Sequence, residues 1–251
     1  MVLQPELDRA LTAVAQVTTL LVACDYDGTL APIVANPHDA RPLPAAAGPL
    51  CALADLPATP TALISGRALA DLARLSGAPK TVHLVGSHGS EFDSGFVHPI
   101  DDDAKARLSD IIATLRAIVA EFPGTAVEIK PASAALHVRN ADPAAAAAAL
   151  NRARAAAAGW DAQATAGKAV LEFAVIHTDK GDALDILRDR YHASAVVFIG
   201  DDVTDEKAFR RLRRGDVGIK VGPGDTMASY RVDAPANVAV VLERLLDLRR
   251  G

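Results

Sequence analysis

Aromatic residues and cysteines are scarce in this chain of 251 residues. Aromatic residues make up only 4% of the chain, although 50% of it is hydrophobic, so aliphatic residues and alanine must fill any core. Its two cysteines, Cys24 and Cys51, form neither a disulfide framework nor a zinc-binding spacing. With 23% charged residues, the composition is that of a globular chain rather than a disordered one.

The chain also lacks an excess of basic residues and long apolar runs. Lys and Arg number 26 and Asp and Glu 31, which gives a net charge of −5 and argues against nucleic-acid binding. No apolar run reaches the roughly 20 residues of a membrane span, and the first residues, MVLQPELDRALTAVAQ, do not resemble a signal peptide. We therefore expect a soluble, cytoplasmic monomer with reduced thiols and no membrane or nucleic-acid partner.

Apolar segments of strand length alternate with helical patterns in both outer parts of the chain. The predicted strands are 20–24, 61–64, 82–85, 195–199 and 217–221, and the predicted helices are 44–56, 68–75, 179–191, 204–212 and 237–248. Continuous apolar strands that alternate with helices indicate an α/β fold with a parallel sheet covered on both faces.

The middle of the chain has a different pattern. Predicted helices 101–122 and 142–158 are each followed by two strands, 125–130 and 135–139 in the first case and 161–165 and 169–173 in the second. This α-β-β-α-β-β order, with partly alternating strands, predicts a separate α+β domain. We place it at 101–176, inserted into a first domain made of 1–100 and 177–251.

Four polar clusters lie where a parallel sheet forms its active site, mostly at the carboxyl ends of strands. They are Asp25-Tyr26-Asp27-Gly28-Thr29 after strand 20–24, Ser65-Gly66-Arg67 after strand 61–64, Lys180-Gly181 at the start of helix 179–191, and Gly200-Asp201-Asp202-Val203-Thr204-Asp205-Glu206 after strand 195–199. Each cluster alone has a structural explanation as a turn or a helix cap. All four together indicate a site.

The carboxylates of these clusters would repel one another without a cation. They are Asp25, Asp27, Asp201, Asp202 and Asp205. Because like charges this close either take up protons or bind a metal, and because the set offers only oxygen ligands, Mg²⁺ is the expected cofactor. Ser65 can donate a hydrogen bond to phosphate oxygens and Lys180 adds a positive charge. The set is therefore suited to holding and attacking a phosphate.

The four clusters match, in chain order, the motifs of the haloacid-dehalogenase superfamily of phosphohydrolases. This resemblance implies a Rossmann-like core and, at the position of the inserted domain, a cap of the second (C2) type. It implies that Asp25 is the nucleophile, Asp27 the general acid and base, and Ser65 and Lys180 the phosphate ligands. The metal would be held by Asp201, with Asp202 and Asp205 close by, and by Asp25 and the main-chain carbonyl of Asp27.

Longer segments resemble the trehalose-6-phosphate phosphatase family more closely. They are DYDGTLAPIVANPHDARP, VGSHGSEF, GKAVLEF and GDDVTDEKAF. The resemblance implies Mg²⁺-dependent hydrolysis of trehalose 6-phosphate through an aspartyl-phosphate, in trehalose biosynthesis. It also implies that five residues of the inserted domain hold the sugars: Glu128, Lys130, His137, Arg139 and Glu172. We add Gly66, Arg67 and His88 at the sheet edge as substrate-binding residues.

Several alternatives stay open from the sequence. The substrate could be sucrose phosphate, mannosylglycerate phosphate or glucosylglycerol phosphate, and a phosphomutase would share the same motifs. A non-catalytic phosphate-binding module is a further alternative, although the intact pair Asp25 and Asp27 argues against it. The polar residues of the inserted domain occupy alternate strand positions, as the solvated face of a half-buried sheet also would.

Overall fold

The computed structural model describes residues 3–251, which divide into two units. Unit 1 combines the chain up to Gly95 with Thr178–Gly251, and unit 2 is Phe96–His177. The boundary expected from the sequence, 101–176, lies within a few residues of this division. Each unit contains its own cluster of buried apolar side chains. The roles of hydrolase core and cap for these units remain predictions.

Unit 1 is built on a mostly parallel sheet. Its strands are β1 (Leu20–Cys24), β2 (Thr61–Ile64), β3 (Val82–Gly86), β4 (Glu91–Phe92), β10 (Ala195–Gly200), β11 (Val217–Val221) and β12 (Tyr230–Val232), together with β5 (Gly95–Phe96), whose second residue is the first of unit 2. The order across the sheet is β12-β11-β10-β1-β2-β3-β4-β5, and all pairs from β12 to β3 are parallel. The predicted α/β class with a parallel sheet is thus confirmed.

Helices supply the apolar side chains that bury this sheet. They are α1 (Pro5–Val14), α2 (Pro44–Ala54), α3 (Leu69–Ser76), α6 (Lys180–Tyr191), α7 (Asp205–Arg210) and α8 (Pro235–Arg250). Every residue of β1, β2, β10 and β11 is buried, which explains why these strands are mostly apolar instead of alternating. Phe198 of β10 packs edge-on against Phe209 of α7, with ring centroids 5.3 Å apart.

Unit 2 has the element order predicted from the sequence. Helix α4 (Asp102–Glu121) precedes β6 (Ala126–Lys130) and β7 (Ser133–His137), and α5 (Pro143–Ala157) precedes β8 (Gln163–Gly167) and β9 (Val170–Ala174). The four strands form an antiparallel sheet in the order β6-β7-β9-β8. Leu136 and Phe173 lie in one apolar cluster with Leu115 of α4 and Ala149 of α5. The helices therefore cover one face of the sheet.

Strand β7 corrects one expectation about unit 2. It was expected at 135–139 but spans Ser133–His137, so Arg139 lies in the following turn and not on the strand. The reason is the tight reversal after β6, because Lys130 pairs directly with Ser133. Only two residues, 131–132, form the connection, and β7 therefore begins and ends earlier than its apolar pattern indicates.

Three elements of unit 1 were not predicted from the sequence. They are helix α1, the short neighbouring strands β4 and β5, of which β4 pairs antiparallel with β3, and the edge strand β12. Helix α1 carried a readable signal, since Leu7, Leu11 and Val14 recur at helical spacing and are buried. The strands have only two or three residues each, too few for a period to be recognised.

The sequence predicts no membrane span and no disulfide. Within residues 3–251, no helix has both the length and the apolar character needed to cross a bilayer. Both cysteines are free thiols. Cys24 is completely buried in β1, and burial raises the pKa of its thiol.

Candidate active site

The carboxyl edge of the unit 1 sheet brings the predicted motifs onto neighbouring strands. Asp25 follows β1, Ser65 follows β2 and Asp201 follows β10, and these three strands are adjacent in the order β10-β1-β2. His88 lies beyond the end of β3, the next strand along. The parallel topology therefore places side chains that are distant in sequence at one edge of the sheet.

Lys180 joins two of these motifs directly. Its Nζ donates to Asp25 Oδ1 at 2.7 Å and to Asp205 Oδ1 at 2.8 Å, and all three side chains are buried. Helix α6 begins at Lys180 because Asp179 caps it, accepting hydrogen bonds from Gly181 N and Asp182 N. The cap fixes the first turn of the helix and with it the position of the Lys180 ammonium.

Electrostatics leaves this site with surplus negative charge. Asp25, Asp201 and Asp205 each offer one carboxylate oxygen within 4.8 Å of the others; we call these three residues the acidic cluster. Burial, reinforced by the charge of Asp205, raises the pKa of Asp25 well above its usual range, although Lys180 opposes the shift. Burial also disfavours the Lys180 ammonium, but Asp205 and Asp25 outweigh this effect and raise its pKa. Lys180 therefore stays charged and balances only part of the cluster.

The acidic cluster fits a hard divalent cation. It consists only of carboxylate oxygens, which Mg²⁺ and Ca²⁺ prefer as ligands. Gly28, in the loop after Asp27, has a positive φ of 83°, and a Cβ on it would lie 2.2 Å from Asp201 Oδ2. Glycine at this position therefore lets the Asp201 carboxylate approach the first motif closely. The cluster is compatible with a bound metal ion.

Asp205 and Asp202 differ from the arrangement expected from the sequence. Asp205 is fully buried, and its second oxygen, Oδ2, accepts from Asp201 N and Asp202 N, both at 2.9 Å. Asp205 therefore orients the loop after β10 as well as contributing charge. The Asp202 side chain accepts from Val203 N and is not one of the three grouped carboxylates.

Lys220 is a residue of this site that the sequence analysis missed. It lies in β11, is buried, and its Nζ donates to the main-chain oxygen of Asp201. The register Gly200–Lys220 between β10 and β11 places it beside the fourth motif. A lysine within an otherwise apolar buried strand, VGIKV, was the available signal.

The second motif packs against the loop that follows β3. Ser65 Oγ accepts from Arg67 N at 3.2 Å, and Ser65 O accepts from His88 N at 2.9 Å. Ser87 and His88 both have left-handed backbone conformations, with φ of 49° and 56°. A Cβ on Gly66 would lie 2.4 Å from His88 Cε1, so the glycine allows the imidazole to pack on this loop.

The assigned residues of unit 2 form two pairs on the sheet face opposite its helices. Lys130 Nζ donates to Glu172 Oε2 at 2.7 Å, and Ser133 Oγ donates to Glu172 Oε1 at 2.6 Å. His137 Nε2 lies 2.8 Å from Glu128 Oε2 and, as the largest influence, lowers the pKa of Glu128 by hydrogen bonding. We call the five residues Glu128, Lys130, Ser133, His137 and Glu172 the polar face.

The structure brings four of the five predicted sugar-binding residues into these two pairs. The exception is Arg139, which is exposed in the turn after β7. Ser133 was not predicted, because a serine at a strand terminus carries no distinctive sequence signal. Lys130 and Glu172 are buried, whereas Glu128 and His137 are partly exposed, so the polar face is not a uniformly solvated exterior.

Comparison with known proteins points to one family. The Trehalose-phosphatase family model matches residues 23–239, most of the chain. A trehalose-phosphate phosphatase of Mycobacterium avium (strain 104) is 38% identical over 257 residues, an alignment that covers 90% of this chain and 62% of the relative. The chain thus spans about three fifths of the length of that curated relative.

Solved structures agree with the fold. The C-terminal domain of a trehalose-6-phosphate phosphatase from C. albicans superimposes with a TM-score of 0.79 at 24% identity, covering 96% of both chains. A trehalose-6-phosphate phosphatase from Aspergillus fumigatus gives a TM-score of 0.67 at 26% identity, covering 96% of this chain and 97% of that one. The α/β architecture expected of the haloacid-dehalogenase superfamily is confirmed.

Proposed function

Because the chain belongs to the trehalose-phosphatase family, we propose that it hydrolyses trehalose 6-phosphate to trehalose and phosphate. The observation that carries the proposal is the contact of Lys180 with Asp25 and Asp205 beside Asp201. It combines a candidate nucleophile, a fixed positive charge and an acidic cluster at one sheet edge. These are the parts that phosphoryl transfer through a covalent enzyme intermediate requires.

We propose Mg²⁺ as the ion at the acidic cluster. Asp25, Asp201 and the main-chain carbonyl of Asp27 are the proposed ligands, and Asp205 holds the loop that presents Asp201. When bound, the ion supplies positive charge to the phosphoryl oxygens and to the surplus carboxylates.

Asp25 attacks phosphorus in the proposed reaction and forms an aspartyl-phosphate. The P–O bond to the sugar breaks, and the leaving oxygen takes a proton from Asp27. A water molecule then attacks the phosphorus and gives a proton to Asp27, and Asp25 is released as a carboxylate. Lys180 and Ser65 stabilise the phosphoryl oxygens throughout, with Gly66 and His88 forming the adjoining loop wall.

We propose that the polar face recognises the sugar hydroxyls. Glu128 and Glu172 can accept hydrogen bonds, Lys130 can donate them, and His137 can do either. Arg139, which lies outside the polar face in the exposed turn after β7, can add a further donor. Paired donors and acceptors suit a neutral disaccharide, since a substrate without matching hydroxyls would leave them unsatisfied. Ser133 adds a hydroxyl to this set.

A substrate panel tests the proposal. Phosphate release by the full chain is measured with trehalose 6-phosphate, sucrose phosphate, mannosylglycerate phosphate and glucosylglycerol phosphate, with Mg²⁺ or with excess chelator. We expect preference for trehalose 6-phosphate and loss of activity in chelator. Preference for another sugar phosphate would replace the substrate but keep the chemistry. Transfer of phosphate to a second hydroxyl would indicate a phosphomutase, and no turnover of any ester would favour a binding module.

A further inference from the structure

One ion pair at the sheet edge engages both carboxylate oxygens of Asp27. Arg67 Nε donates to Asp27 Oδ2 at 2.6 Å, and Arg67 Nη2 donates to Asp27 Oδ1 at 2.7 Å. A bidentate contact between a planar guanidinium and a carboxylate fixes the orientation of both groups more strictly than a single hydrogen bond does. The rotation of the Asp27 carboxylate is therefore set by Arg67.

Arg67 is itself anchored to several segments of unit 1. Its Nη2 also donates to Pro37 O at 2.8 Å, and its guanidinium carbon lies 5.7 Å from the centroid of the Tyr26 ring. Its main-chain oxygen accepts from Ser87 N at 2.7 Å. The side chain is only 14% exposed, so the guanidinium has a fixed position from which it can orient a partner.

These contacts differ from those of a phosphate ligand. A phosphate that bound to Nε and Nη2 of Arg67 would have to displace the Asp27 carboxylate from the same donors. The guanidinium also keeps its charge here: burial, the largest single influence, lowers the pKa of Arg67, but the hydrogen bond and the charge of Asp27, together with weaker contributions from Tyr26 and Asp71, outweigh burial and raise it. The side chain is thus committed to a protein partner that has a role in the proposed reaction.

We propose that Arg67 is a positioning residue, which orients the Asp27 carboxylate for proton transfer and does not bind the substrate phosphate. The inference rests on the proposed function, in which Asp27 is the acid and base. It replaces the substrate-binding role that the sequence analysis gave to Arg67. Its consequence is that Arg67 contributes to the rate only through Asp27.

A double-mutant cycle with two esters tests this inference. The variants are Arg67→Met, Asp27→Asn and the double variant, with Arg74→Met as the control because Arg74 is an exposed arginine paired with Asp71. The esters are trehalose 6-phosphate and p-nitrophenyl phosphate, whose leaving group needs little help from an acid. Thermal unfolding of each variant shows whether it is folded.

The inference predicts a loss that depends on the leaving group. Arg67→Met should lower kcat for the sugar phosphate by about 10- to 100-fold, part of the roughly 10²- to 10⁴-fold that acid–base catalysis contributes. KM and the inhibition constant of inorganic phosphate should change by less than about threefold. The rate of the p-nitrophenolate burst, which precedes hydrolysis of the aspartyl-phosphate, should also change by less than about threefold. In the Asp27→Asn background, Arg67→Met should cost almost nothing more. Arg67→Lys should recover part of the rate.

Other results would overturn the inference. A phosphate ligand would give weaker inhibition by inorganic phosphate, equal losses in the first-turnover rate with both esters, and losses that multiply with those of Asp27→Asn. If the wild type prefers another sugar phosphate, trehalose 6-phosphate is refuted as the substrate. The double-mutant cycle is then run with the preferred ester, and it still tests the role of Arg67. A crystal structure of Arg67→Met with Asp27 in an unchanged orientation would refute the inference even for a protein that hydrolyses no ester.

Discussion

Two buried lysines, one in each unit, have different charge surroundings. In unit 1, Lys180 contacts Asp25 and Asp205, and Asp201 belongs to the same acidic cluster. Even if Lys220 beside Asp201 O is counted, three carboxylates face two ammonium groups. In unit 2, Lys130 contacts the carboxylate of Glu172, whose other oxygen accepts from the Ser133 hydroxyl.

This difference separates two kinds of chemistry. Surplus buried carboxylates are stable only with protons or a cation, so the acidic cluster is suited to a metal ion and a phosphate. In unit 2 the charges of Lys130 and Glu172 oppose each other, and the same carboxylate accepts from the Ser133 hydroxyl. This arrangement presents donors and acceptors in fixed positions, which suits the recognition of neutral hydroxyl groups. We therefore propose that unit 1 carries out the reaction and that unit 2 discriminates between sugars.

The largest expected effect comes from Asp25→Asn, which removes the attacking carboxylate but keeps its shape. Phosphate release should fall by about three orders of magnitude or more, because no covalent intermediate can form. Steady-state phosphate release from trehalose 6-phosphate measures the effect. Asp71→Asn, on the same unit and paired with Arg74 at the surface, should keep full activity. A near-normal rate in Asp25→Asn would refute the covalent mechanism.

Asp205→Ala should cause the largest loss of stability. The change removes the acceptor of Lys180 Nζ, Asp201 N and Asp202 N, all in buried or partly buried surroundings. Lys180 keeps Asp25 as a partner, but Asp201 N and Asp202 N both lose their acceptor, and each such unsatisfied N–H costs about 1–3 kcal/mol of unfolding free energy. Urea unfolding measures this, with Asp102→Ala as the control, since Asp102 is 97% exposed. Equal urea midpoints for Asp205→Ala and Asp102→Ala would mean that Asp205 does not support the loop after β10.

Glu172→Gln should have a smaller effect on stability than Asp205→Ala. Glutamine keeps a hydrogen bond to Ser133 but leaves the Lys130 ammonium without its carboxylate. The expected cost is about 1–3 kcal/mol in urea unfolding. Glu121→Gln is the matched control in unit 2, because Glu121 pairs with Arg152 in a half-exposed bridge worth at most about 1 kcal/mol. A loss as large as that of Asp205→Ala would contradict the contrast between the two lysines.

His83 gives the smallest expected effect, at the opposite edge of the unit 1 sheet. Burial lowers its pKa from the usual 6.5, and Tyr191 Oη lies 3.2 Å from its Nδ1. Below about pH 6.5 the unfolded chain binds a proton at His83 that the folded protein resists binding. The contribution of His83 to the free energy of unfolding is therefore fully present above about pH 6.5 and is lost as the pH falls. Thermal unfolding between about pH 7.5 and about pH 5 should therefore depend less on pH in His83→Gln than in the wild type. His98→Gln, at an exposed position, should match the wild type.

Most of the sheet and the acidic cluster of unit 1 were predictable from the sequence. Strands β1, β2 and β11 have the predicted bounds, because strands buried on both faces form nearly continuous apolar runs that are easy to recognise. Parallel strands also end at one edge, so Asp25, Ser65 and Asp201 meet there although they are distant in sequence; in space Asp25 lies between the other two, because the strand order is β10-β1-β2.

Pairings that depend on side-chain reach were not predictable. Arg67 contacts Asp27 across 40 positions of sequence, and Lys130 contacts Glu172 across 42. Neither the period of a strand nor the spacing of motifs encodes such partners. The position of Arg139 depended on a two-residue turn, which moved β7 by two positions and left that residue outside the strand.

The ratio of kcat/KM for trehalose 6-phosphate to that for p-nitrophenyl phosphate tests the division of labour most directly. It is measured for the wild type, Glu128→Ala in unit 2 and Ser65→Ala in unit 1. Each lost sugar contact is worth about 1–3 kcal/mol, so Glu128→Ala should lower the ratio by about 5- to 150-fold and leave the artificial ester nearly unaffected. Ser65→Ala should slow both esters and keep the ratio within about threefold of the wild type. An unchanged ratio in Glu128→Ala, or a collapsed ratio in Ser65→Ala, would contradict the account.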